Sequence, residues 1–228
     1  MERQSKSDLR INGLGSSSGG TFNYVQINGK GEISGDLNCS ELQINGLGSV
    51  DGNVKATSVR IAGKSDIGGD LTGERIVIDG LVEIRGKVSA EHLENRGALR
   101  ISGDCGAESF KSTGGFTIGG LLNSEKIEIE VYASCTAREI GGESVDVRRG
   151  RGFGIKDFID SILPGLTWKK GLSVETIEGD NIFIEDTTAK VVRGSDVRVG
   201  TGCSVESVEY KNTFVAAPDA IVKRNRKV

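Results

Sequence analysis

The chain is short of the residues that usually fill a compact core or furnish a catalytic centre. Its 228 residues include two prolines, one tryptophan, one histidine, three tyrosines and seven phenylalanines. So thin an aromatic complement argues against a core built around large rings. A single histidine, His92, excludes a metal site made of three histidines. Lysine and arginine number 29 against 32 aspartates and glutamates, a balance that excludes an all-over electrostatic grip on nucleic acid. No stretch approaches the ~18 consecutive apolar residues of a membrane-spanning helix. The polar start MERQSKSD lacks the apolar segment of a secretory signal, so a cytoplasmic protein is expected. Cys39, Cys105, Cys135 and Cys203 stand singly, without the paired spacing of zinc or redox motifs, and read as reduced fillers of small apolar gaps.

What the sequence has in abundance is glycine, 34 residues. The phrase LRING at Leu9 to Gly13 returns as VQING (Val25 to Gly29), LQING (Leu42 to Gly46), VRIAG (Val59 to Gly63) and IVIDG (Ile76 to Gly80). The glycines at 13, 29, 46, 63, 80, 97 and 114 are spaced by 16 and then by 17 throughout, the mark of a solenoid. Apolar positions are fixed within the period: Val59, Ile61, Ile67 and Leu71 are followed by Ile76, Ile78, Ile84 and Val88. A step of two between apolar residues is strand alternation, and helical spacing is absent from most of the region. Short strands bent at glycines three times per period predict a triangular coil, with glycine accepting positive φ at the corners and letting coils stack closely. Degenerate copies place Cys105 in the inward slot of a valine and extend the pattern through Ile127 to Val131 and Val145 to Val147. After an interruption it resumes at Ile182 to Asp186, Val197 to Gly200 and Val208 to Tyr210, for about eleven coils in a rod roughly 50 Å long. The expected divisions are a tail over 1–8, coils over 9–147, an inserted segment over 148–171, terminal coils over 172–217 and a basic, solvated tail over 218–228.

The rungs VDGNVKATSV (Val50 to Val59) and EIRGKVSAEHL (Glu83 to Leu93) resemble those of bactofilins, a family of polymer-forming bacterial cytoskeletal proteins. That resemblance implies an all-β fold, a right-handed parallel β-helix whose subunits stack end to end without bound nucleotide or other cofactor. It also implies a scaffold that positions cell-envelope or motility machinery near the inner face of the membrane, either as a homopolymer or with a related bactofilin.

The interruption, RRGRGFGIKDFIDSILPGLTWKKG, carries one helix-like stripe. Ile155, Phe158, Ile159, Ile162 and Leu163 fall at helical spacing, and Pro164 with Gly165 ends the run. Arg148, Arg149 and Arg151 precede it, and Trp168, Lys169 and Lys170 follow. Three roles fit: a helix packed on the rod, an element in an anionic membrane interface, or a partner-docking helix. Both coil ends keep unpaired backbone and an apolar rim, so polymer contacts are expected at Leu9, Ile11 and Phe22 on one end and at Val208, Tyr210, Phe214 and Val215 on the other. An enzyme is the weaker reading. His92 sits at an outward corner, and Asp66, Asp70, Glu83 and Glu128 lie on outward positions of different coils with nothing to desolvate a pair. A non-polymerising adaptor and an acyltransferase-like enzyme remain the alternatives, and nucleic acid is not an expected partner.

Overall fold

The computed structural model describes residues 7–150 and 170–228. Among these it contains no helix. The strands are β1 (Leu9–Ile11), β2 (Leu14–Thr21), β3 (Tyr24–Ile27), β4 (Lys30–Ile44), β5 (Leu47–Val50) and β6 (Val54–Ile61), then β7 (Lys64–Ile67), β8 (Leu71–Ile78), β9 (Leu81–Ile84), β10 (Val88–Asn95), β11 (Ala98–Ile101) and β12 (Cys105–Ser112). Longer ones follow as β13 (Gly115–Val131), β14 (Ser134–Arg149), β15 (Gly171–Ile184), β16 (Thr187–Val199), β17 (Ser204–Ala216) and β18 (Ile221–Lys227). All join one sheet, and every pairing is parallel, each turn laid on the one before, as where Leu42 pairs with Val59 and Val59 with Ile76. The result is a β-helix of about 12 turns with about 17 residues in each.

One turn shows how the pattern folds. Leu42 and Ile44 are buried from the first face, Gly48 and Val50 from the second, and Val54 and Ala56 from the third. Each side chain rests on its equivalent one turn away, so alternation of period two becomes apolar columns running the length of the rod. A turn has no hydrophobic interior of its own and is stabilised by its neighbours.

The columns trade volume with one another. One runs Ile11, Ile27, Ile44, Ile61, Ile78 and then Asn95 and Ser112 before returning to Ile129. The column beside it runs Gly15, Gly31, Gly48, Ser65, Val82, Leu99 and Phe116. Where the first holds isoleucine the second begins with glycine, and a Cβ on Gly31 would meet the Ile27 side chain at 2.9 Å. Where the first shrinks to Asn95 and Ser112, the second has grown to Leu99 and Phe116. Packing at constant density requires this compensation. Phe116 completes the local core through an edge-on contact with Phe110, centroids 5.5 Å apart.

Of the two reasons expected for the corner glycines, close stacking holds for nearly the whole series and positive φ for one member. Of the series at 13, 29, 46, 63, 80, 97 and 114, only Gly13 has positive φ, at 103°. The others are required by stacking: a Cβ on Gly46 would strike the carbonyl of Gly29, and one on Gly63 that of Gly46. Beside them, Asn28 Nδ2 donates to Asn12 Oδ1 at 2.7 Å and Asn45 Nδ2 to Asn28 Oδ1 at 2.9 Å, a side-chain ladder up the edge. A second corner is laced from side chain to backbone. Asn53 N donates to Asp36 Oδ1 at 2.7 Å, Asp70 N to Asn53 Oδ1 at 2.8 Å and Lys87 N to Asp70 Oδ1 at 2.8 Å.

The period drifts past the middle of the rod. Phe116 pairs with Cys135, a step of 19, and Leu172 with Thr187, a step of 15. Ser134 pairs with Gly171, a step of 37, so the inserted segment leaves and re-enters the coil without breaking the ladder. Two expected boundaries differ. Arg148 and Arg149 extend β14 rather than opening the insertion, and the basic stretch after Pro218, expected as a solvated tail, forms β18 on top of β17.

Candidate functional site

The two ends of the rod are its chemically unfinished surfaces. At the first, β1 pairs with β3 and β2 with β4; their outer edges have no strand partner among the described residues. Leu9 is half-buried, Ile11 is buried at the rim, and Phe22 is half-buried against the core. The inward positions of β2 are small, Gly15, Ser17 and Gly20, so this end is apolar on one face and nearly flat on the others. Gly20 has a φ of 150° and is one of the few positions whose backbone favours glycine.

The opposite end is built unevenly. β18 covers the part of β17 from Ser204 to Tyr210, pairing Val208 with Asn225 and Tyr210 with Lys227. Val208 is therefore fully buried one turn inside the end, and does not form the exposed contact expected of it. Thr213 to Ala216, by contrast, pair only downward, with Asp196 to Val199. Phe214 lies half-exposed on this open face, stacked on Tyr210 with centroids 5.5 Å apart, and Val215 is exposed at the rim. In the inward columns of β18, Asn225 stands where earlier turns carry Ile177, Val192 and Val208, and Lys227 follows Gly179, Gly194 and Tyr210. The strand is tied down from outside: Glu209 accepts from Arg193 Nε at 2.8 Å and from Arg226 Nη2 at 2.9 Å, and Lys223 reaches Glu206 at 3.2 Å. Arg193 first, then Arg226, holds the Glu209 carboxyl below the usual carboxylate range.

The inserted segment emerges from a corner already committed to ion pairs. Arg149 Nε donates to Asp186 Oδ2 at 2.7 Å, and its backbone amide to Glu185 Oε2 at 2.9 Å. Arg148 pairs with Asp146 at 2.8 Å and lies over the Phe183 ring, 4.9 Å from its centroid. Both arginines are thus paired on the rod surface, with more than half of each side chain exposed. Lys170 is exposed. Arg151, Ile155, Phe158, Ile159, Ile162, Leu163, Trp168 and Lys169 lie outside the described residues.

His92 is exposed and pairs in register with Arg75 and Ser109. The four cysteines are buried thiols. Cys105 continues the column from Val88 to Leu122, and desolvation pushes its thiol up to about 12. Such a thiol is a packing group rather than a nucleophile. A groove of about 680 Å³ runs over Gly142, Gly179 and Gly194, walled by Glu125, Glu143, Glu178, Asp180 and Arg193 and lined by neither histidine nor cysteine. Among the described residues no helix is long and apolar enough to cross a membrane.

Comparison with known proteins follows the same lines. Residues 2–89 match the family model for Bactofilin, a family described as polymer-forming cytoskeletal. Two Bacillus subtilis proteins are similar: YhbF, an uncharacterised protein, 34% identical over 110 residues, and YhbE, also uncharacterised, 39% identical over 109 residues. Each match takes in 47% of this chain, but only 42% of YhbF and 43% of YhbE, so the chain spans less than half the length of either relative. No solved structure matches.

Proposed function

We propose, from the premise that residues 2–89 belong to the bactofilin family of polymer-forming cytoskeletal proteins, that this chain is a non-enzymatic scaffold which polymerises end to end by continuing its strand ladder from one subunit to the next. The observation that carries the proposal is the open face at Thr213 to Ala216. A following subunit would lay Leu9 on Phe214 and Ile11 on Ala216, in the same columns those residues already occupy. Its β2 would pair with the free edge of β18, and its Phe22 would cover Lys227. Val208 plays no part in this contact, and Ala216 takes its place. Such a polymer needs no nucleotide, because each added subunit buries apolar rim and satisfies edge backbone groups. Placing cell-envelope or motility machinery at the membrane is the role proposed for the polymer.

Negative-stain microscopy and sedimentation of the wild type beside Phe214→Arg test the proposal. Filaments in the first and single rods in the second are expected. Equal filament content in both would remove this face from the contact.

A further inference from the structure

Three of the large hydrophobic residues exposed on the rod are leucines in a single column: Leu14 at 86%, Leu47 at 52% and Leu81 at 51% exposure. In register, Leu14 pairs with Lys30, Lys30 with Leu47, Leu47 with Lys64 and Lys64 with Leu81. Leucine and lysine therefore alternate turn by turn, with leucines about 9.6 Å apart. The face is narrow. Each turn presents two outward residues on it, and the second, two positions along and about 7 Å away, runs Ser16, Glu32, Ser49, Asp66, Glu83.

The two columns complement each other. Turn by turn, leucine stands beside serine, lysine beside glutamate, leucine beside serine, and lysine beside aspartate; only the fifth turn, Leu81 beside Glu83, departs. Among the described residues, none of the ion pairs found elsewhere along the rod involves Lys30, Lys64, Glu32 or Asp66.

We propose that this face is a lateral interface with a second copy of the chain, the two rods parallel, in register and related by a two-fold axis along their length. That operation sets the first column of each rod against the second column of the other. Leu14 and Leu47 then nest over Ser16 and Ser49 of the mate, and Lys30 and Lys64 meet Glu32 and Asp66 of the mate, each contact made twice. Other occupants fit less well. An anionic membrane would be repelled by Glu32, Asp66 and Glu83. A helix repeats its seventh residue at ~10.5 Å and drifts out of step, whereas another β-helix shares the ~4.8 Å rise.

Five turns of so narrow a face bury only about 300 Å² per rod, estimated from strand spacing and length, well under the roughly 1,200 Å² in total of a stable pair. The interface therefore acts through repetition along a filament, and to that extent rests on the end-to-end reading.

The test uses two charge-reversed full-length proteins, K30E/K64E and E32K/D66K. Each alone should give single filaments, because like charges then face each other; mixed, they should restore wild-type paired filaments. Adding Leu47→Asp to either should abolish pairing in the mixture. Independently, oxidation of a mixture of Leu47→Cys and Ser49→Cys proteins should yield a mixed dimer at least tenfold in excess over either homodimer. Filament length reports the end contact and filament width the lateral one, and in Phe214→Arg rods, which do not polymerise, the disulfide traps even a transient lateral encounter, so the two readings fail separately. A mixture that stays single, pairing indifferent to Leu47→Asp, or no preferred cross-link would overturn the proposal and assign the face to another partner.

Discussion

Asn95 donates its side-chain amide to Ser112 Oγ at 3.0 Å, wholly buried, at the two consecutive turns where the column of isoleucines is broken. Each polar atom of the pair is satisfied. Asn95 Nδ2 also donates to the Gly115 carbonyl at 3.1 Å, Asn95 Oδ1 accepts from Gly97 N at 3.2 Å, and Ser112 Oγ donates to the Gly114 carbonyl at 3.0 Å. The pair thus fastens two corners from the inside while Leu99 and Phe116 fill the volume that isoleucine would have taken.

Asn95→Ala removes both donors and the acceptor, leaving buried groups unpaired beside a small void. Stability should fall by about 1–3 kcal/mol, read as a lower urea midpoint, and amide exchange should rise first at Gly97, whose N–H loses its acceptor. An unchanged midpoint would show that the pair contributes nothing net.

Ser65 presents the opposite case. Its hydroxyl is buried and has no hydrogen-bond partner among the described residues, in a column between Gly48 and Val82. Ser65→Ala discards the unsatisfied oxygen and keeps the Cβ packing against its neighbours, so a gain of roughly 1 kcal/mol is expected. Thermal melts of the two proteins at one pH suffice to measure it.

Acid should loosen the rod. A hydrogen bond from Leu121 N at 3.1 Å, with Lys87 at 3.1 Å, holds the Asp104 carboxyl below its usual range. The Thr213 hydroxyl does the same for Asp196, and Arg193 for Glu209. A carboxyl depressed in the folded state contributes fully above its unfolded value, near 4, and loses that contribution as pH falls through its lower folded value. Melting temperature should therefore be flat from about pH 5 to 8 and decline below about 4. Asp104→Asn should flatten part of that decline, whereas high salt should weaken the Glu209 ion pairs more than the Asp104 bond to a backbone amide.

The turn, its length and its inward columns were legible in the sequence because apolar alternation repeats at fixed distance, and Cys105 could be placed beside Val88 by counting. The final strand was not legible. A terminal turn has a neighbour on one side only, so Asn225 is tolerated where internal turns carry Ile177, Val192 and Val208, and the alternation that announces a strand is lost. For the same reason the alternation stops near Val208, one turn short of the end of the rod. Both reasons for the corner glycines, close stacking and positive φ, are open to the sequence, but which one acts at a given corner is not, since composition cannot distinguish the two demands. The leucine and lysine column was written plainly after successive glycines, as Leu14, Lys30, Leu47, Lys64 and Leu81, yet it carries a period of two turns that a search for one-turn repeats passes over.

The step of 37 between Ser134 and Gly171 has a consequence for how such a molecule can change. Because each layer answers only to the layers it touches, twenty additional residues are accommodated at one vertex while Val147 still rests against Ile184 as though nothing intervened. The architecture behaves like a spool with free slack at its edges. Foreign sequence could be grafted between Arg149 and Gly171, and new binding properties acquired there, without renegotiating the winding on either side.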